Sequence, residues 1–210
     1  MDAWSDIDLA LRLTPDADLD QTSTDWTGWL TAEVKISDHF DIHAWGALYR
    51  VFLCDNGLQI DLSLWPWDKF RAVNGEPIKL LFGECLVAEP AQRRPWTEAA
   101  RMAWLYALHA RSAIHRGRAL QADLMLTSWR DQIITLAALR HALNPSQGRE
   151  AHLLPRDIQA AIQRSRPSSL APTELRRALV STAELYLGEV HHHDPDYADR
   201  LRTALAALAR

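Results

Sequence analysis

The sequence predicts an α+β fold in which a small mixed β-sheet domain is followed by an α-helical bundle. Two observations carry the prediction. Before about residue 90 the apolar residues fall in short segments with tight-turn signals, whereas from Thr97 onward they recur at helical spacing. The polar, Pro-containing stretch EPAQRRP at 89–95 separates the two regimes, which places the domains at 1–90 and 96–210.

The first element is SDIDLALRL at 5–13, whose alternation suits a strand with one polar and one apolar face and which ends at Pro15. Ile7 and Leu9 are expected to face the core. Asp25 can cap a helix running to about Lys35, because Trp26, Trp29, Leu30 and Val34 recur at steps of three and four. A sheet resumes after it. LYRVFLC at 48–54 and LQIDLSL at 58–64 flank Asp55-Asn56-Gly57, whose last pair tolerates positive φ and signals an antiparallel hairpin. IKLLF at 78–82 reads as a further short strand.

The second half predicts helices over 97–116, broken at Gly117, and over 118–143, stopped by Asn144-Pro145. Shorter helices follow at 155–165, from Pro172 or Thr173 to about Val190, and from Pro195 onward, each with a Pro suited to a first turn. No internal repeat is visible, which argues against a solenoid.

With 210 residues, 48% of them hydrophobic, the chain can bury one large core or two small ones. The net charge of −4, with basic residues spread along the chain, gives no long-range attraction to extended nucleic acid. No run reaches the roughly 20 apolar residues of a membrane helix, and the first residues lack the pattern of a signal peptide, so a cytoplasmic location is expected. Cys54 and Cys85 are expected to be buried thiols, not a disulfide or a metal pair. Most of the nine tryptophans should be core, with one or two left to line a ring-binding pocket.

Three carboxylates carry the chemistry. In a strand, residues i and i+2 share a face, so Asp6 and Asp8 stand side by side, an arrangement that is costly without a cation. Asp61 lies centrally in LQIDLSL with Ile60 and Leu62 pointing the other way, so a neighbouring strand can supply a third carboxylate. A D-x-D pair alone also occurs on solvated strand faces. A third Asp inside an apolar strand favours a hard-oxygen site for Mg2+, which binds carboxylates together with substrate phosphates.

On 118–143, Asp123, Thr127, Arg130 and Asp131 form a polar line. Arg130 could meet phosphate and Asp123 or Asp131 could accept a proton, or the line could serve an ion pair within the bundle. Arg111 and His115 are one turn apart, but a lone helical His is more often structural. His191, His192 and His193 point in different directions on a helix, and its C-terminus favours positive charge.

On these residues the chain resembles the polymerase-β-like nucleotidyltransferase superfamily, in particular the small bacterial aminoglycoside and lincosamide nucleotidyltransferases. WSDIDLAL is similar to the family's SDxDL strand, QIDLSLWP to its third-carboxylate strand, and the segment from Arg101 to His141 to the helical domain that follows. The resemblance implies a magnesium-dependent nucleotidyltransferase moving a nucleoside monophosphate from a nucleoside triphosphate, such as ATP, to a hydroxyl of a small molecule of the antibiotic kind. Asp6, Asp8 and Asp61 would be the catalytic and metal residues, Ser5 and Arg130 would contact the nucleotide, and Asp123 or Asp131 would be the general base. The helical domain would hold the acceptor, and a homodimer is compatible with this picture.

The family also carries a Gly-Ser turn roughly ten residues before its first carboxylate, whose amides hold the phosphates. Here only Met1 to Ser5 precede Asp6 and no Gly occurs before Gly28. The expectation is that the chain begins just after that turn, which predicts a bare sheet edge or an apolar patch. Two alternatives remain: an antitoxin-type enzyme that AMPylates protein or RNA, and a degenerate binding protein of the same fold.

Overall fold

A computed structural model describes residues 5–73, 78–86 and 95–209. It divides into two compact units, Met1–Gln92 and Arg93–Arg210. The stretch 89–95 lies, apart from Pro95, outside the described residues.

The first unit runs β1 (Ile7–Arg12), α1 (Leu19–Glu33), β2 (Ile36–Ala44), β3 (Ala47–Cys54) and β4 (Gln59–Trp65). The sheet order is β1-β4-β3-β2. β1 is parallel to β4, and the other two pairings are antiparallel, which makes the sheet mixed. Both β1 and β2 are edges among the described residues.

Alternation sorts the strands onto two faces. One face carries Leu9, Leu11 and Leu13 with Leu48, Phe52, Ile60, Leu62 and Leu64, and α1 lays Leu30 and Trp26 over it. Arg50 ties that layer together. Its guanidinium donates to both oxygens of Asp41 at 2.7 Å, and also to the Ser23 carbonyl and the Thr27 hydroxyl on α1. On the other face, Ala47, Trp65 and Phe70 make a small cluster with Tyr49, Val73 and Cys85.

The β3–β4 hairpin forms where the Asn-Gly signal stands, although only Gly57 takes positive φ (81°). The Asn56 side chain instead accepts the Leu58 N–H at 3.0 Å, an Asx turn. Three expectations are corrected. The α1 cap is Asp18, whose carboxylate accepts the Gln21 N–H at 2.8 Å, so the helix starts ahead of Asp25. Residues 78–82 form no strand. IKLLF lacks alternation and so has no single face to bury, and Leu81 and Phe82 stay exposed. Ile7, at the first position of the edge strand, is 44% exposed and does not join the core.

The second unit comprises α2 (Trp96–His115), α3 (Ala119–Arg140), α4 (Arg156–Arg164), α5 (Pro172–His193) and α6 (Pro195–Ala206). Its core is unusual in composition. Ala99, Ala100, Ala103, Ala107, Ala110 and Ala113 line the buried stripe of α2, against Leu126, Trp129, Ile133, Leu136 and Tyr186. Small residues at three- and four-residue steps let the backbones approach closely while the large rings fill the centre. The Tyr186 hydroxyl donates to the Ala100 carbonyl at 2.6 Å, and burial pushes its pKa up. Among the described residues no helix is long and apolar enough to cross a membrane.

Candidate functional site

The parallel register of β1 and β4 builds the site. Asp8 pairs directly with Asp61, so both carboxylates stand on the face that α1 leaves uncovered. Asp6, two residues before Asp8, adds a third. One carboxylate oxygen from each of Asp6, Asp8 and Asp61 lies within 4.8 Å of the others. Asp6 and Asp8 are exposed and Asp61 is half-buried.

Three like charges this close repel by about 1 kcal/mol per pair even in bulk water. A divalent cation removes that repulsion, and an all-oxygen donor set with two exposed members suits magnesium, which keeps several of its waters. The residues present therefore fit such an ion. Gln59, two positions before Asp61 on the same strand face, donates its amide to both Asp61 oxygens at 2.9 and 3.1 Å. Sequence reasoning missed Gln59. The signal was there, because i and i+2 in a strand share a face.

An open groove of about 700 Å³ runs from Asp8 along the same face. Ala10, Tyr49, Ser63 and Trp65 form its floor, and Trp67, Phe70, Arg71, Val73 and residues 78–84 form its other wall. Arg12 fastens that wall, its Nε donating to the Trp67 carbonyl at 2.7 Å. Arg71 and Lys79 place positive charge along the groove, Arg12 pairs there with Glu84 at 3.8 Å, and Tyr49, Trp65, Trp67 and Phe70 supply aromatic surface. Trp65 and Phe70 are held edge to face, with the Trp65 indole N–H donating to Ser63 Oγ at 3.0 Å. The sequence marked this wall only through its tryptophans and an expected strand at 78–82, since the wall has no periodic structure.

Ser5 adjoins Asp6 and is half-buried. The residues expected on the second half lie in the helical unit. Arg130 is 5% exposed and donates to Thr127 Oγ1 at 2.8 Å and to the Ser165 carbonyl at 3.5 Å. Burial, reinforced by the charge of Arg166, lowers its pKa, while Asp123 acts to raise it. With its donors turned inward, Arg130 serves the bundle, which corrects its reading as a phosphate contact. Asp131 is exposed and accepts from Gln132 at 3.2 Å.

The His tract divides as expected. His193 stacks on Trp96 with ring centroids 5.2 Å apart, its Nε2 sits 3.0 Å from the Leu136 carbonyl, and His191 and His192 are exposed. Both cysteines are free; Cys54 is buried as expected, but Cys85 is only half-buried.

No known protein-family model matches the chain. No curated protein matches it either. Among solved structures, an aminoglycoside 6-adenyltransferase from Bacillus subtilis is similar with a TM-score of 0.49 at 13% identity, over 97% of this chain and 88% of that one. Similarity of that degree assigns neither substrate nor activity to this chain.

Proposed function

We propose that the chain is a magnesium-dependent nucleotidyltransferase acting on a nucleoside triphosphate and a small-molecule hydroxyl acceptor. The observation that carries this reading is the register match of Asp8 with Asp61, which gathers three carboxylates beside an aromatic and basic groove. Phosphoryl chemistry needs little covalent help from a protein, but it needs positioning and charge compensation at the phosphate oxygens.

Asp6, Asp8 and Asp61 would hold the cation, and Gln59 would fix the orientation of Asp61. Magnesium bound there would neutralise charge on the reacting phosphate groups. Arg71 and Lys79 would draw the polyphosphate along the groove, and the aromatic wall would take the base. In the reaction the acceptor oxygen bonds to the α-phosphorus, the bond from that phosphorus to the pyrophosphate oxygen breaks, and the hydroxyl proton passes to a carboxylate. Ser5 is proposed to contact the nucleotide beside Asp6. The sheet unit is thus the metal and nucleotide domain, and the helical unit the acceptor domain.

Thermal unfolding of the full chain with magnesium and each nucleoside triphosphate tests the proposal. A ligand that binds only the native state must stabilise it, by about 2.7 kcal/mol at a hundred times its Kd. Asp8→Asn and Asp61→Asn should abolish this stabilisation and the transfer of labelled nucleoside monophosphate, while leaving the ligand-free midpoint unchanged or raised. Equal stabilisation in either variant would refute the metal assignment.

A further inference from the structure

Among the described residues the sheet ends on one side at β2, whose nine residues make it the longest strand. We infer that two copies of the chain pair along this edge, antiparallel about a two-fold axis at Phe40. This pairing is independent of the proposed transferase activity.

The backbone decides which groups the edge offers. Along an antiparallel ladder, hydrogen-bonded and non-hydrogen-bonded pairs alternate. The Cys54 N–H donates to the Leu58 carbonyl at 2.9 Å, so even-numbered residues of β3 bond towards β4 and odd-numbered ones towards β2. Val51, an odd-numbered residue, stands opposite Phe40. Asp38, Phe40 and Ile42 therefore bond inward, while His39, Asp41 and His43 direct their N–H and C=O groups away from the sheet. The His39 N–H accordingly donates to the Asp38 carboxylate, at 2.8 Å. A long edge of outward backbone groups is a template for another strand. In the pair, the His39 N–H would donate to the Asp41 carbonyl of the second copy and release the Asp38 side chain to solvent.

The side chains indicate that the other strand is a second β2. Phe40 is the midpoint of Ile36–Ala44, so an axis there uses the whole strand. It sets the His39 imidazole of each copy against the Asp41 carboxylate of the other, on the face under α1. Opposite charges directly across a ladder stabilise it and like charges destabilise it. Moving the axis to His39 or to Asp41 sets that residue against its own copy, and moving it to Ile42 leaves only residues 40–44 to pair. On the open face the axis brings the two Phe40 rings together, flanked by Ile42 and Leu53. These side chains are 58%, 45% and 51% exposed, an apolar patch that pairing would cover. The β1 edge offers no such match, because a two-fold there gathers the exposed Asp6 and Asp8 of both copies. Pairing uses up both β2 edges, so assembly closes at two copies and a continuous sheet of eight strands, four from each.

Sedimentation velocity of the full chain over a range of concentrations tests the inference, and a reversible dimer is expected. Phe40→Lys alters an exposed side chain and keeps the backbone bonds to β3. It should be monomeric wherever the parent is dimeric, with the parent's unfolding midpoint at concentrations where both are monomers. His39→Glu, which opposes two carboxylates, should be monomeric as well. Disulfide cross-linking reads the register. Cα atoms of a non-hydrogen-bonded pair lie about 4.5 Å apart, within disulfide reach, so oxidised Phe40→Cys should link two copies while Ile42→Cys should not. The parent chain, with its free Cys54 and Cys85, sets the baseline. A chain that stays monomeric at every concentration, a dimer that survives Phe40→Lys or His39→Glu, or Phe40→Cys linking no better than Ile42→Cys would overturn the inference.

Discussion

The two faces of one sheet have been put to different uses by the same strands. On the face under α1, Phe52, Leu62 and Leu64 are fully buried and every strand contributes an aliphatic or aromatic side chain. On the opposite face a row of directly paired residues runs Asp8, Asp61, Val51, Phe40 across all four strands, and Phe40 is 58% exposed. Alternation makes the two faces independent, since each residue belongs to one face only. Stability can therefore reside in one layer while the other carries repelling carboxylates and an open groove. The cost of gathering like charges falls at the open end of a face whose own buried cluster, Ala47, Trp65 and Phe70, lies apart from the large core.

The sharpest way to break that comparison is to delete one ring from the closed face. Phe52→Ala should cost about 3–5 kcal/mol, the range for large-to-small changes in a packed core. Its neighbour Val51 points to the open face and is half-buried, so Val51→Ala should cost less than about 1.5 kcal/mol. Denaturant titration of both variants measures the difference, and equal losses would mean that the two faces share one core.

A smaller effect is expected at Gln59. Both of its contacts are to Asp61, so Gln59→Leu leaves the closed face untouched and frees the carboxylate to rotate. Groups that orient a metal ligand typically contribute 10–100-fold in metal affinity, equivalent to about 1.4–2.7 kcal/mol. Magnesium titration should show a loss in this range with an unchanged unfolding midpoint of the metal-free chain. Unaltered affinity would reduce Gln59 to a bystander on the strand.

The sequence made the closed face and the carboxylates legible for the same reason: both are written in period two. Asp6, Asp8 and Asp61 could be placed on one face once Ile60 and Leu62 were assigned to the other. The hairpin before β4 was legible through Asn56-Gly57, and the helices of the second unit through their spacing and the prolines at 172 and 195. What escaped had no local signal. The β2–β3 turn places Trp45 at φ 51°, a conformation a bulky residue rarely adopts and no propensity would suggest. The groove wall is irregular, and Arg12 holds it through a backbone carbonyl, a contact carried by no side-chain identity at position 67. Arg130, on a polar line with Asp123, Thr127 and Asp131, allowed two readings from sequence, and only the tertiary packing that turns its donors inward favours the one within the bundle.

The smallest predicted effect concerns the clamp on the closed face, and pH reveals it. The hydrogen bond and the charge of Arg50 hold the Asp41 carboxyl below the usual carboxylate range, outweighing the opposing push from burial. A carboxyl depressed in the folded state stabilises fully above its unfolded pKa of about 3.9, and that contribution disappears as pH falls through the folded value. Asp41 remains partly exposed, so the pair should contribute no more than about 1 kcal/mol. Asp41→Asn should therefore be less stable than the parent by up to that amount at pH 7, with the gap narrowing as pH falls below about 4. Urea midpoints for both proteins across that range provide the measurement. A gap that does not narrow below pH 4 would show that Asp41 acts through shape or hydrogen bonding that asparagine cannot reproduce, with its charge adding nothing.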